Sequence, residues 1–323
     1  MRIILDTDPG VDDAIALLFA LRHPGITLDA VTTVAGNVEL EHTTRNALGI
    51  LQLAGATDVP VHVGSGRRFS ELGSRASDAH GDTGLGGVSL PIDAIAPSGD
   101  HAAQFIVDHT AAHPGEVTLL AVGPLGNVAE ALEIDPTLPA RVPELMIMGG
   151  AEGTGNITPS AEFNFWHDPG AAKVVFEAGF AKISMVGLDA TGQVFMSPGA
   201  RELLRHIDDP LAKFMFDITE QYADFYWQRR RLVGAELCDA LAAMALVDRD
   251  ITGWVDAHVE ICDEGLCAGR SVVARTERYR DRTANAAVAT TVRTQEFFEV
   301  LLTTLFPAYT TDIQRVLQHE YRP

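Results

Sequence analysis

The sequence predicts an α/β protein, with a mostly parallel central sheet and helices on both faces. Apolar, strand-like runs alternate with helical segments along most of the chain. Apolar residues make up 46% of the 323 residues, which excludes a disordered chain and suffices for a large core. No internal repeat, low-complexity linker or break in composition divides the chain, so residues 1–323 read as one domain.

Residues 3–5 form a short apolar strand that enters a loop. Residues 12–21 then carry a helix, with Asp12 and Asp13 in its first turn, where the positive end of the helix dipole favours them. Residues 28–34 are a β-branched strand, followed by Gly36-Asn37, a helix to residue 54 and a strand at 59–63. The stretch 64–88 is rich in Gly, Ser and Asp and has no clear period; long loops of this kind are usually functional or mobile. A helix at 102–113, a strand at 117–122, a turn at 123–126, a helix at 127–133 and a strand at 144–148 follow. Residues 153–167 form a second irregular stretch, before a helix at 171–178 and a strand at 183–187. Residues 210–231 are helical and aromatic-rich, and 240–247 form an apolar helix. The segments 257–262 and 271–274 are β-like, and a final helix falls near 296–305.

Charge and cysteine content narrow the partners. Lys and Arg total 24 against 44 Asp and Glu, a formal charge of −20. Such a polyanion repels phosphate, which argues against nucleic acid or an anionic membrane as a partner. The apolar run 14–21 is shorter than the ~20 residues that cross a bilayer, and the N-terminus lacks the apolar region of a signal peptide. The three cysteines, Cys238, Cys262 and Cys267, cannot all pair and form no C-x-x-C, so a reduced, cytoplasmic setting is expected.

Ligands in such sheets bind beyond the carboxyl ends of the strands. The residues expected there are Asp6 to Asp13, Gly36-Asn37, Gly123 to Asn127, and Gly149-Gly150. Asp6, Asp8, Asp12 and Asp13 crowd four carboxylates into eight residues, at a cost in repulsion unless a cation or protons compensate. Pro9-Gly10 permits the turn that lets Asp8 approach Asp12 and Asp13. Hard oxygen ligands on a loop that leads into a helix suit Ca²⁺ or Mg²⁺ rather than Zn²⁺. The plainer reading is that Asp12 and Asp13 cap a helix while Asp6 and Asp8 face solvent.

The string Asp6-Thr7-Asp8-Pro9-Gly10-Val11-Asp12-Asp13-Ala14 resembles the N-terminal signature of the inosine-uridine-preferring nucleoside hydrolases. The resemblance continues in order through Val34-Ala35-Gly36-Asn37, His80-Gly81-Asp82-Thr83-Gly84-Leu85-Gly86 and Gly123-Pro124-Leu125-Gly126-Asn127. It extends to Met148-Gly149-Gly150-Ala151, the run Asn156 to Asn164, and Cys238-Asp239-Ala240-Leu241-Ala242. It implies a Rossmann-like nucleoside hydrolase fold and Ca²⁺-dependent hydrolysis of the N-glycosidic bond of ribonucleosides, in salvage metabolism, by a homodimer or homotetramer. Asp8, Asp13, Asp239 and the main-chain carbonyl of Val122 would hold the ion, and Asp8 would be the general base on a metal-bound water. Asp12, Asn37 and Asn164 would bind the ribose, and Asn156 and Glu162 its 5′-hydroxyl. Positive charge developing on the sugar ring would meet a negatively charged pocket.

Simpler readings stand beside these. Asn37 and Asn156 are also turn residues, Asp239 also a helix cap, and His80 also a turn-stabilising histidine. Tyr222 and Tyr226, four apart on one helical face near Trp227, Arg229 and Arg230, resemble base-contacting aromatics but have the spacing of a core stripe. Trp166 is either a stacking or a core residue. Many relatives carry a leaving-group histidine directly before the metal-ligand Asp; here Cys238 stands there. A thiol is a weaker donor, so Cys238 is either a replacement acid or a small buried residue. Two other classes remain open: a metal-dependent phosphatase built on Asp6 and Asp8, and a riboside-binding protein without turnover. The absent Thr two residues beyond Asp8 and the absent basic phosphate clamp count against the first.

Overall fold

The computed structural model describes residues 1–70, 77–99, 101–275 and 282–321. Its strands are β1 (Arg2–Thr7), β2 (Thr27–Thr33), β3 (Val61–Val63), β4 (Val117–Ala121), β5 (Leu145–Met148) and β6 (Ile183–Val186). They continue with β7 (Phe195–Met196), β8 (Ala235–Glu236), β9 (Thr252–Ile261), β10 (Ser271–Arg275) and β11 (Ala286–Val292). All but β7 and β8, which pair with each other, form one sheet in the order β10-β9-β11-β6-β5-β4-β1-β2-β3. The pairings from β3 through β6 to β11 are parallel; β9 runs antiparallel to both β11 and β10. The chain winds outward from β1 to β3, then returns to place β4 on the other side of β1. That reversal opens a crevice at the carboxyl ends of β1 and β4, where ligands bind in doubly wound sheets.

Strand alternation divides the core into two layers. Ile3, Leu5, Leu120, Val122, Met146 and Met148 belong to one apolar cluster, together with residues of the helices Val11–Arg22, Pro210–Arg230 and Cys238–Val247. Ile4, Leu119, Ala121, Leu145 and Ile147 belong to the other, with residues of the helices Ala102–Ala112, Gly126–Ile134 and Pro169–Glu177. The central strands are therefore buried on both faces. Among the described residues, no helix is long and apolar enough to cross a membrane.

The predicted strands and helices through residue 148 are present, within a few residues of the expected bounds. Residues 71–76 of the 64–88 stretch lie outside the described residues, and Ser77–His80 forms a short helical turn. The stretch 153–167 is not irregular throughout. Its last part is the helix Phe163–His167, which starts because the Glu162 carboxylate accepts the backbone N–H groups of Asn164 and Phe165. The helix expected to end the chain is Thr294–Leu305, and a further helix, Thr310–Glu320, packs against it. β11 also stands outside the expected elements. Its sequence, three alanines with four β-branched residues, marks a strand only weakly, and pairing with β6 and β9 fixes it.

Phe165 sits under the loop that leaves β5: a Cβ on Gly149 or Gly150 would lie 2.4 Å or 2.6 Å from its ring. Phe165→Ala is expected to cost about 3–5 kcal/mol in equilibrium denaturation, the range for an emptied aromatic core position. A loss below about 1 kcal/mol, the size of a surface change, would contradict this placement.

Candidate active site

The crevice collects side chains from six segments. The end of β1 supplies Asp6, Thr7 and Asp8, and the first turn of the Val11–Arg22 helix supplies Asp12 and Asp13. The loop after β2 contributes Asn37, the end of β4 Val122 and Gly123, the Phe163–His167 helix Asn164, and the Cys238–Val247 helix Cys238 and Asp239. The two helices that carry Asp12, Asp13, Cys238 and Asp239 pack together and begin at the site. Their N-terminal dipole ends favour negative charge there.

Asp6, Asp8, Asp12, Asp13 and Asp239 are all buried. One carboxylate oxygen from each of Asp12, Asp13 and Asp239 lies within 4.8 Å of the others. Asp8 stands beside this trio, and its backbone N–H donates to Asp13 Oδ1 at 3.3 Å. The Asp8 Oδ2 atom accepts the Asn37 N–H at 2.6 Å, while its Oδ1 is buried without a partner. Space for this carboxylate is made by glycines: a Cβ on Gly36 would lie 2.1 Å from Asp8 Oδ2, and one on Gly123 2.5 Å from Asp8 Oδ1.

Burial and mutual repulsion set the ionisation of the cluster. Asp12 is raised to about 8, first by burial and then by the Asp13 charge. Asp8 is pushed well above the usual carboxylate range by burial and by Asp13, and Asp239 by burial and by Asp12. Asp6 is raised to about 6 by burial, against hydrogen bonds from Asn127 and Thr32 that pull it down. Such a set holds protons or a cation at neutral pH. The donor chemistry fits a hard divalent ion: convergent carboxylates, a carbonyl at Val122 and an orphaned oxygen on Asp8.

Asp13 also ties the loop together, accepting Thr7 Oγ1 at 2.6 Å, Gly10 N at 3.0 Å and Asn37 Nδ2 at 3.0 Å. Asn37 thus touches both Asp8 and Asp13. The Asn164 Nδ2 group donates to the carbonyls of Val122 (2.8 Å) and Met148 (3.1 Å). This orients its amide oxygen for another partner. Glu162 caps its helix and accepts Gly150 N at 2.9 Å; burial raises it to about 7.

A cavity of about 220 Å³ opens over the cluster. Of the predicted residues, Asp12, Asn37, Val122, Asn164 and Asp239 line it near the acidic end. Asn156, exposed at its rim, Glu162, Tyr222, Tyr226 and Cys238 complete the predicted lining, while Asp8 and Asp13 do not reach its surface. Tyr222 and Tyr226 are both core and cavity residues. The Cys238 thiol is pushed well above its usual range by burial, then by Asp12, Glu236 and Asp239, so it stays protonated. Trp166 does not line this cavity; its backbone packs on Gly269.

His80 is more closely engaged than sequence reasoning assigned. Its Nδ1 accepts the Val11 N–H at 3.1 Å, so the single proton of the neutral ring is on Nε2. Burial lowers it to about 4, and its ring lies 5.0 Å from that of Tyr222. Phe225 and Glu236 were not anticipated. Phe225 falls three residues after Tyr222 on the same helix, and that spacing marks it, whereas nothing local marks Glu236.

A doubly wound sheet with a carboxylate-lined cavity at its switch point defines an α/β enzyme for a small molecule. The family model for inosine-uridine preferring nucleoside hydrolases matches residues 3–299, and the chain belongs to that family. It is an enzyme, a hydrolase. It is 39% identical over 273 residues to a pyrimidine-specific ribonucleoside hydrolase, RihB, of Escherichia coli O157:H7, covering 84% of this chain and 86% of the relative. Among solved structures, a plant nucleoside hydrolase superposes with TM-score 0.89 at 32% identity, covering 94% of this chain and 98% of that one. A purine-preferring ribonucleoside hydrolase from Gardnerella vaginalis superposes with TM-score 0.88 at 29% identity, covering 98% and 100%.

Two outcomes follow from the geometry. Gly123→Ala displaces the Asp8 carboxylate, and is expected to lower turnover about 10²-fold, as a 1 Å misplacement does, with circular dichroism unchanged. Full activity in that variant would remove the constraint on Asp8. The second concerns pH. Asp12 at about 8 and Glu162 at about 7 retain protons that the unfolded chain has released. Their stabilisation is complete below the ordinary carboxylate range and is lost as pH climbs through those values. His80 acts oppositely: lowered to about 4, it loses stabilisation as pH falls below 6.5. The carboxylates outnumber it, so the metal-free protein is expected to melt lower at pH 8 than at pH 6. Divalent cation at 100 times its dissociation constant should restore about 2.7 kcal/mol. Thermal melts with and without chelator check this; a midpoint at pH 8 indifferent to both would contradict it.

Proposed function

We propose that this enzyme hydrolyses the N-glycosidic bond of ribonucleosides to ribose and free base, with Ca²⁺ held by Asp8, Asp13, Asp239 and the Val122 carbonyl. The observation that carries the reading is the convergence of buried carboxylates under a cavity that also presents amide groups and aromatic rings. A bound divalent ion supplies a Lewis acid that fixes a sugar diol and lowers the pKa of water. Hard oxygen donors and flexible coordination favour Ca²⁺ within that class.

Asp8 is the general base. Its Oδ2 is held by the Asn37 N–H at 2.6 Å, and its buried Oδ1 has no partner and is left to take a proton. In the balanced reaction, water adds its hydroxyl to the anomeric carbon as the C–N bond breaks. The remaining water proton goes to Asp8, the departing base takes one proton from solvent, and Asp8 returns its proton to solvent, so that one water is consumed. Asp12 and the amide oxygen of Asn164 accept hydrogen bonds from the ribose hydroxyls. Asn37 has a double part, because its amide also holds Asp8 and Asp13 in place. Asn156 and Glu162 line the side assigned to the 5′-hydroxyl. The acidic surroundings stabilise positive charge as it develops on the ring.

Tyr222 and Tyr226 form the nucleobase wall. Cys238 touches the base side as a neutral thiol, and its raised pKa makes it a reluctant proton donor. The relatives are named for opposite base preferences, pyrimidine-specific and purine-preferring, so neither preference is transferred to this chain.

The test is ribose release from a panel of inosine, uridine, adenosine and cytidine, with and without chelator. Chelation is expected to abolish release and Ca²⁺ to restore it. Asp8→Asn is expected to lower kcat about 10²–10⁴-fold with the fold kept, the range for losing a general base. Phosphate release from phosphoesters without ribose would favour the phosphatase class. Riboside binding without turnover would favour a binding protein.

A further inference from the structure

Glu236 lies outside the acidic cluster, yet it is buried and both its oxygens are engaged by residues that line the cavity. Its Oε2 accepts the Tyr226 hydroxyl at 3.0 Å, and its Oε1 accepts Nη1 of Arg230. The Arg230 guanidinium carbon lies 5.6 Å from the centre of the Tyr226 ring, and Tyr226 packs edge-on against Tyr222 at 5.2 Å. The backbone that carries Glu236 is held firmly: β8 pairs with β7, and the Leu237 N–H donates to Val194 at 3.1 Å. One carboxylate thus joins the strand just ahead of Cys238 and Asp239 to the helix that forms the aromatic wall.

A phenol has one proton to donate. With that proton directed at Glu236, the Tyr226 oxygen has only lone pairs left, one of them toward the Tyr222 hydroxyl and the remainder open to another partner. We propose that Glu236 is a positioning residue for the nucleobase half of the substrate. It turns the Tyr226 hydroxyl into an acceptor for a base N–H and holds the Arg230 guanidinium at the rim of the cavity. This rests on the nucleoside hydrolase reading above.

Glu236→Gln keeps the side-chain shape but offers an amide N–H to Tyr226 and removes the ion pair with Arg230. In the full-length Ca²⁺-loaded enzyme, this variant is expected to lose about tenfold or more in kcat/KM for nucleosides, the worth of a hydrogen bond to a charged group. Inhibition by ribose, which has no base, should change less than twofold, a margin inside the scatter of uncoupled sites. Tyr226→Phe should show the same selective loss, and the double variant should be no worse than Glu236→Gln alone, because Glu236 acts on the base through the Tyr226 hydroxyl.

Equal losses toward nucleosides and ribose would make Glu236 merely structural and overturn the proposal. So would unchanged nucleoside kinetics, or additive losses in the double variant. Should Glu236→Gln not fold, Tyr226→Phe and the ribose control decide between the same outcomes. If the wild type releases no ribose, the hydrolase reading fails by itself. Nucleoside and ribose dissociation constants of the same variants then test the wall.

Discussion

Repulsion among buried carboxylates is the constraint on which the site depends. Asp8, Asp12 and Asp239 are each pushed above their ordinary range by burial and by one another. They cannot all ionise in a dry crevice without a compensating charge. Helix dipoles supply part of it, because two helices begin at the cluster, but such partial charges are too small to neutralise several carboxylates. A divalent cation, as proposed above, would complete the balance.

The scaffold keeps the carboxylates in place against that repulsion. The reversal of strand order beside β1 sets the ends of β1 and β4 side by side, which brings residues distant in sequence to one crevice. Gly36 and Gly123 leave room for the Asp8 carboxylate that a side chain at either position would take. Asn37 and Thr7 hold Asp13, and Asn127 and Thr32 hold Asp6. Several polar groups of the site thus act mainly on other polar groups. The donors of Thr7, Thr32, Asn37 and Asn127 each meet a carboxylate oxygen, while Asp6 Oδ2 and Asp8 Oδ1 remain unpaired.

The two halves of the cavity come from different parts of the fold. Strand ends and the first turns of two helices build the acidic half, fixed by the sheet. The aromatic half comes from the Pro210–Arg230 helix, joined to the rest near the cavity through Glu236. Solved nucleoside hydrolases share the overall fold at 29% and 32% identity.

Local chemistry made much of this legible in the sequence. Alternating apolar runs and helical segments identify the parallel sheet, because each element must bury one face. The Asp6 to Asp13 string points to a cation or to bound protons because crowded carboxylates repel one another unless something compensates. Non-local contacts decided the rest. β11 mixes alanines with Val and Thr, and β6 and β9, which flank it, make it a strand. Glu162 is a helix cap because Gly150 and the next turn supply its donors. Asn164 faces its amide nitrogen toward Val122 because the fold puts that carbonyl within reach. Glu236 has no signature in its own neighbourhood; only folding brings Tyr226 and Arg230 to it. The sequence by itself determined which groups are present and which strand ends carry them. The tertiary structure decided which of their atoms are already paired, because a hydrogen bond depends on distance and direction that a linear chain does not specify.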